Sequence, residues 1–217
     1  MLTFLICSFF KNIGNLNTFT RFLQLFAGRV GQLLNLSSIG NELGIDSKTV
    51  RSWLSILEAS FVIFFLSPYY KNYNKRVVKQ PKLYFYDTGV ICSLLGLNAT
   101  SQLSNFYLRG SLFENFVISE CLKYRIHQGK QPNAYFWRDN TGNEIDLLLN
   151  NGTTLLAVEI KSGQTIVPDF FRNLTRFRQY SGLGTECCYF VYGGDTEIKR
   201  RDAHVLSWRN MSRLHEP

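Results

Sequence analysis

The sequence predicts an α/β protein in two parts, a winged helix-turn-helix over residues 18–95 and an α/β sandwich over residues 103–217. Three observations predict it. Two short helical patterns flank a turn at Ile45-Asp46 and lead into a basic, aromatic, β-rich run. Residues 142–161 read as a hairpin with charges set among apolar residues. Around that hairpin the patterns follow the order helix, hairpin, strand, helix, strand, which suits helices layered on a sheet.

In the first part, Ser37 or Ser38 is expected to open a short helix that closes at Leu43-Gly44, with Ser47 capping the second helix. Val50, Trp53, Leu54 and Leu57 then recur at i, i+3, i+4 and i+7, the spacing of one buried face. Lys48, Thr49, Arg51, Ser52 and Ser55 are left outward. The runs Phe61 to Leu66, Tyr69 to Val78 and Lys82 to Tyr86 are expected to make the wing. From Lys48 through Lys82, seven basic residues face the single acid Glu58, so this segment carries +6 of the chain's net +8. Lys48, Arg51, Lys71, Lys75, Arg76 and Lys79, interleaved with Tyr69, Tyr70 and Tyr73, suit phosphate contact and base stacking, and so a DNA partner. The same module also serves elsewhere as a structural companion that touches only neighbouring domains.

Gly96 to Gln102 interrupts the apolar pattern and is the expected linker. Beyond it, Gly110 to Leu122 reads as a helix with Ser111 as N-cap and Leu112, Phe113, Phe116, Val117 and Leu122 largely at helical spacing. In the hairpin, Asn151-Gly152 suits a two-residue type I′ turn, which sets Asn150 opposite Thr153, Asp146 opposite Ala157 and Glu144 opposite Glu159. Side chains alternate along a strand, so Glu144, Asp146, Glu159 and Lys161 share one side. Ile145, Leu147, Leu149, Leu156, Val158 and Ile160 form an apolar face on the other.

Two carboxylates crowded on one sheet face repel. Asp146 and Glu159, expected to lie roughly 7–8 Å apart at Cα as diagonal neighbours, are within the span of a shared cation. Mg²⁺ or Mn²⁺ would suit, because such hard cations take one or two carboxylates and keep sites open for a phosphate. Lys161 would then orient a water or stabilise negative charge developing on a phosphodiester. The plainer reading of the same residues is a solvated face on which Lys161 pairs with Glu159 or Glu144.

Towards the carboxy terminus, Phe170 to Tyr180 reads as a helix with Phe170, Phe171, Leu174 and Phe177 inward and Arg172, Arg176 and Gln179 outward. Glu186 to Tyr192 reads as a buried strand ended by Gly193-Gly194. At 217 residues and 45% hydrophobic, the chain can bury a sizeable core. Its net charge of +8 favours an anionic partner. Five cysteines with no C-x-x-C spacing give neither a disulfide framework nor a zinc site, so a reducing cytoplasm is the expected home. The three histidines are scattered. Met1 to Phe10 is apolar but too short to span a bilayer, and it lacks the basic leader of a signal peptide, so no membrane association is expected.

Asp146 followed by Glu159-Ile160-Lys161 resembles the D…ExK core of the PD-(D/E)XK nuclease superfamily, whose fold is restriction-endonuclease-like. That resemblance implies catalytic roles for Asp146, Glu159 and Lys161, a further ligand from the Ile160 carbonyl, and an additional acid from the preceding helix. Glu114 fits that place as a metal ligand or water-positioning group, while as a first-turn glutamate it would merely favour the helix dipole.

More widely, Gly14 to Phe19, Ala27 to Asn35, Trp53 to Ser60, Pro81 to Gly89 and Phe136 to Asp139 resemble the carboxy-terminal part of a family of prokaryotic AAA-type ATPases, whose last domain is nuclease-like and of unassigned function. The likeness runs from about Asn12 to Gly194. No G-x-x-x-x-G-K-[ST] occurs, so no ATP site is expected in this chain, which reads as a truncated product or a fragment. Residues 1–17 are then the remnant of a preceding domain or a linker helix, able to meet an intact ATPase domain or a second copy. Two functional classes follow: a metal-dependent deoxyribonuclease coupled to a DNA-binding winged helix, or a non-catalytic DNA- or partner-binding regulator that keeps the nuclease fold.

Overall fold

The computed structural model describes residues 15–70 and 78–215. The apolar amino terminus and the basic residues Lys71, Lys75 and Arg76 lie outside the described residues. Among the described residues three helices precede the first strand, α1 (Leu16–Ala27), α2 (Leu36–Leu43) and α3 (Ser47–Ala59). Phe19, Phe22, Leu23 and Phe26 repeat at helical spacing and are buried on α1. Trp53 of α3 meets Phe19 and Phe22 edge-on, each at 5.1 Å between ring centroids.

The turn between α2 and α3 is where it was expected, but different residues cap the helices. The Asn35 side chain accepts from the Ser38 backbone N–H at 3.0 Å, in place of a serine cap. At α3 the Asp46 carboxylate accepts from the Lys48 and Thr49 backbone N–H groups, both at 2.8 Å, so the cap falls one residue before Ser47. A carboxylate or amide oxygen reaches the second or third amide as readily as a hydroxyl does, and an anion also favours the helix N-terminus. The crossing of α2 over the turn is close: a Cβ at Gly40 would lie 2.7 Å from the Ile45 carbonyl oxygen.

The strands are β1 (Ile63–Pro68), β2 (Lys82–Phe85), β3 (Ala134–Arg138), β4 (Glu144–Asn150), β5 (Leu155–Lys161), β6 (Cys188–Tyr192), β7 (Ile198–Lys199) and β8 (His204–Ser207). Between β2 and β3 run α4 (Thr88–Leu94), α5 (Thr100–Leu103) and α6 (Arg109–His127), and α7 (Arg172–Ser181) precedes β6. The eight strands of the described residues form one mixed sheet in the order β2-β1-β3-β4-β5-β6-β8-β7. β1 and β2 pair antiparallel as expected of two wing strands, yet β1 also pairs parallel to β3 through Ser67 and Tyr135. The would-be wing is therefore continuous with the second part's sheet. The outer edge of β2 is covered by the loop after α1, where Gly31 N–H donates to the Leu83 carbonyl at 2.8 Å.

Both sheet faces are buried. One core joins α1 to α4 and α6 to Leu147, Leu149, Val158 and Ile160. The other packs Phe171, Leu174 and Phe177 on Trp137, Ile145, Leu148, Ala157 and Phe190. The outward placement of Arg172, Arg176 and Gln179 on α7 agrees with the sequence reading. That helix starts two residues later than expected, after a 3₁₀ turn at Pro168–Phe171.

Candidate functional site

The charged end of the β4–β5 hairpin is organised by two departures from simple alternation. First, the pairing is Leu147 with Val158, Leu148 with Ala157, Leu149 with Leu156 and Asn150 with Leu155, so residues 151–154 form the loop. Asn151 N–H donates to the Thr154 carbonyl at 2.9 Å, and Asn150 Oδ1 accepts from Gly152 N–H at 2.9 Å, so this four-residue turn replaces the two-residue one. The register moves by two residues, and its continuation sets Asp146 opposite Glu159. Directly opposed positions are closer than diagonal ones, which brings the two acids together.

Second, β4 carries a bulge. Tyr135 pairs with Leu148 and Trp137 with Ile145, leaving Asp146 and Leu147 both opposite Phe136. Ile145 accordingly lies in the core under α7, whereas Leu147 and Leu149 lie in the core under α6, so the expected unbroken apolar face does not hold at Ile145. The bulge frees Asp146 from the strict alternation. Its Oδ2 accepts from the Ile160 backbone N–H at 2.7 Å across the strands.

Glu159 is only 2% exposed, and Asp146 is also buried. The Lys161 ammonium lies 2.7 Å from Glu159 Oε1 and 3.6 Å from Asp146 Oδ2, standing between the two carboxylates. Glu159 Oε2 is buried without a hydrogen-bond partner among the described residues. Burial first, then repulsion from Asp146, pushes the Glu159 carboxyl up to about 8 despite the neighbouring Lys161. Burial alone would lower the Lys161 ammonium, but Asp146 and Glu159 hold it above the ordinary lysine range.

Glu114 reaches the same neighbourhood from α6. The helix opens at Arg109 without a side-chain cap, so Ser111 is not its N-cap and Glu114 stands in the second turn, away from the helix end. Its Oε1 accepts from Lys82 Nζ at 3.2 Å and from the Tyr84 hydroxyl. Burial raises its pKa, with Asp146 and Glu144 adding to the rise and Lys82 and Tyr84 opposing it. Glu144 accepts from Lys82 and, at 3.2 Å, from Arg138. Among the described residues, no three Asp, Glu, His or Cys side chains form a ready-made group for a metal ion.

Several supports of this site are silent in the sequence. Asn115, fully buried, accepts from Phe85 N–H at 2.8 Å and donates to the Phe85 carbonyl at 3.1 Å and to Thr88 Oγ1 at 2.9 Å, fixing α6 and hence Glu114 against β2. Gly193 N–H donates to the Lys161 and Gly163 carbonyls, both at 3.1 Å, and a Cβ there would lie 2.4 Å from the Ser162 oxygen. Lys82, counted among the wing's basic residues, is 2% exposed and belongs to the acidic cluster. Only the local β-pattern of Lys82 to Tyr86 marked its strand.

Lys48 and Arg51 are exposed on α3, and Lys79 is exposed just before β2. An open cleft of about 580 Å³ is lined by Thr141, Asn143, Arg176, Gln179 and Tyr180. None of the acids lines it. The described cysteines Cys92, Cys121, Cys187 and Cys188 are free thiols. No helix among the described residues is long and apolar enough to cross a membrane.

Fold and site together define a mixed α/β protein with a large mixed sheet and a lysine-bridged acidic cluster. Residues 109–211 match the family model described as a domain of unknown function, DUF4143, and residues 8–101 match a second domain of unknown function, DUF8612. The chain is similar to uncharacterized protein Rv2008c of Mycobacterium tuberculosis and uncharacterized protein Mb2031c of Mycobacterium bovis, with 28% identity over 158 residues in each case. Those matches cover 72% of this chain and 34% of each relative, so the chain spans about a third of their length.

Proposed function

We propose that this chain is a DNA-binding, metal-dependent phosphodiesterase module with a restriction-endonuclease-like site behind a winged helix. The observation that carries the reading is the convergence of Asp146, Glu159 and Lys161, with one Glu159 oxygen buried and unpaired among the described residues. Such an oxygen is costly to leave unmatched, and a hard cation is its natural partner. The donor set fits Mg²⁺ or Mn²⁺ in kind, being carboxylate oxygens. Asp146 and Glu159 would hold the ion, with Glu114 alongside, and a bound ion would supply Lewis acidity towards a phosphoryl oxygen.

The chain's own residues have separate tasks. Ile160 N–H fixes the Asp146 carboxylate through one oxygen. Lys161, kept charged by its acids, presents an ammonium that orients water or stabilises negative charge on the phosphate. Lys48 and Arg51, exposed on α3, and Lys79 contact the DNA backbone, joined by Lys71, Lys75 and Arg76. The resemblance to AAA-type ATPase carboxy-terminal regions makes a separate ATPase domain the fitting partner, in a cytoplasmic setting.

A second reading has its own support. Because Lys161 already lies within ion-pair distance of both acids, part of their charge is offset internally, as a non-catalytic DNA- or partner-binding module would allow. Incubation with plasmid, linear duplex and single-stranded DNA, in Mg²⁺, Mn²⁺ or chelator, separates the two. Cleavage that needs metal and disappears in Lys161→Ala supports the first reading. DNA binding without turnover under every condition supports the second.

A further inference from the structure

A lysine as buried as Lys82 is uncommon and demands compensation. Its ammonium is matched twice, by Glu114 Oε1 at 3.2 Å and by Glu144, and it lies 5.4 Å from the centroid of the Phe136 ring. Each acid has a second holder, Tyr84 for Glu114 and Arg138 for Glu144. Glu114 comes from α6 and Glu144 stands two residues before Asp146, whereas Lys82 comes from β2, in the region that precedes the linker.

Without Lys82, Glu114 and Glu144 would keep only Tyr84 and Arg138 as partners among the described residues, and Glu114 would meet the repulsion of Asp146 and Glu144 without an opposing ammonium. Lys82 takes Glu114 and Glu144 into its own ion pairs. That leaves Asp146 and Glu159 as the pair gathered around Lys161.

We propose that Lys82 is a positioning residue that organises the acidic cluster, so that the site is assembled from both sequence regions and not from residues 109–211 alone. Its relevance to catalysis rests on the metal-site reading above; its placement in the cluster does not.

The test uses the full chain with Lys82→Met, Lys82→Arg, Glu114→Gln and the double variant Lys82→Met/Glu114→Gln. Urea unfolding in chelator measures the coupling, and Mn²⁺ titration at a temperature where every variant is folded measures the site. Removing one partner of a buried ion pair should lower the folding constant of Lys82→Met by roughly 100-fold or more, and adding Glu114→Gln should recover at least about tenfold of it. Mn²⁺ affinity should fall about tenfold or more in Lys82→Met and return largely in Lys82→Arg, a recovery that packing alone would not give. No recovery of stability in the double variant overturns the proposal whatever the metal does. Unchanged Mn²⁺ affinity in Lys82→Met overturns it too. Wild-type protein that binds no Mn²⁺ but shows the stability coupling would sink the metal reading while supporting the place given to Lys82.

Discussion

Glu159→Gln should make the metal-free protein more stable at alkaline pH, the reverse of what loss of a surface ion pair would do. The carboxyl is 2% exposed and its pKa is pushed up to about 8 by burial and by Asp146. In the unfolded chain the ordinary glutamate value, near 4.5, applies. Between those two values the unfolded chain releases a proton that the folded protein retains, so stability falls as pH rises and the penalty is complete above the folded value. At about 1.4 kcal/mol for each pH unit of the rise, the full penalty has an upper bound of about 5 kcal/mol. Lys161 moderates it, and Gln gives up a charge-assisted bond to that lysine. Even about 1.5 kcal/mol would separate the melting temperatures by roughly 3–6 °C in a protein of this size. Thermal melts in chelator from pH 5 to 9 should show the wild type losing stability with pH relative to Glu159→Gln, with the two curves converging near pH 5. A constant destabilisation of the variant across the whole range would mean that Glu159 is an ionised structural partner of Lys161, and would refute the reasoning.

Other outcomes follow from the supporting residues and the DNA face. Lys48→Ala with Arg51→Ala should weaken DNA binding across sequences and reduce the magnitude of the salt slope by about 1.8, if each contacts one phosphate, as measured by fluorescence anisotropy at several salt concentrations. Asn115→Ala leaves the Phe85 backbone groups without the partners they have now, at about 1–3 kcal/mol for each unsatisfied group, and urea denaturation should register the loss. Gly193→Ala forces a Cβ against the Ser162 carbonyl and should lower both the melting temperature and any activity that depends on the strand end carrying Lys161.

Local pattern carried much of this fold into the sequence. The α3 face of Val50, Trp53, Leu54 and Leu57 is buried as its spacing implies, and so are Leu174 and Phe177 of α7 with Phe171 of the 3₁₀ turn before it. Asp146, Glu159 and Lys161 could be gathered from the hairpin because a two-residue slip in register preserves the alternation along β5 and sets Asp146 opposite Glu159, even though the bulge moves Ile145 to the other face. Had the slip been one residue, the site would have been lost. The bulge at Asp146 was illegible, since it is defined only by what β3 places opposite. α1 carries a repeat of its own, Phe19, Phe22, Leu23 and Phe26, at helical spacing. The merging of β1 and β2 with the main sheet, the Asn115 clamp and the burial of Lys82 are contacts over long sequence separations. A basic residue in a basic segment reads as surface until a distant pair of acids is placed around it.

The most direct measurement is calorimetric titration of Mn²⁺ into the metal-free wild type, Asp146→Asn and Glu159→Gln at pH 8. If the two carboxylates form the cation site, the wild type binds at millimolar metal or better and each variant loses at least about tenfold in affinity, since neutralising either acid removes half of the site's negative charge. Wild-type heats that match those of both variants would contradict the metal site and leave the lysine-paired, non-catalytic module standing.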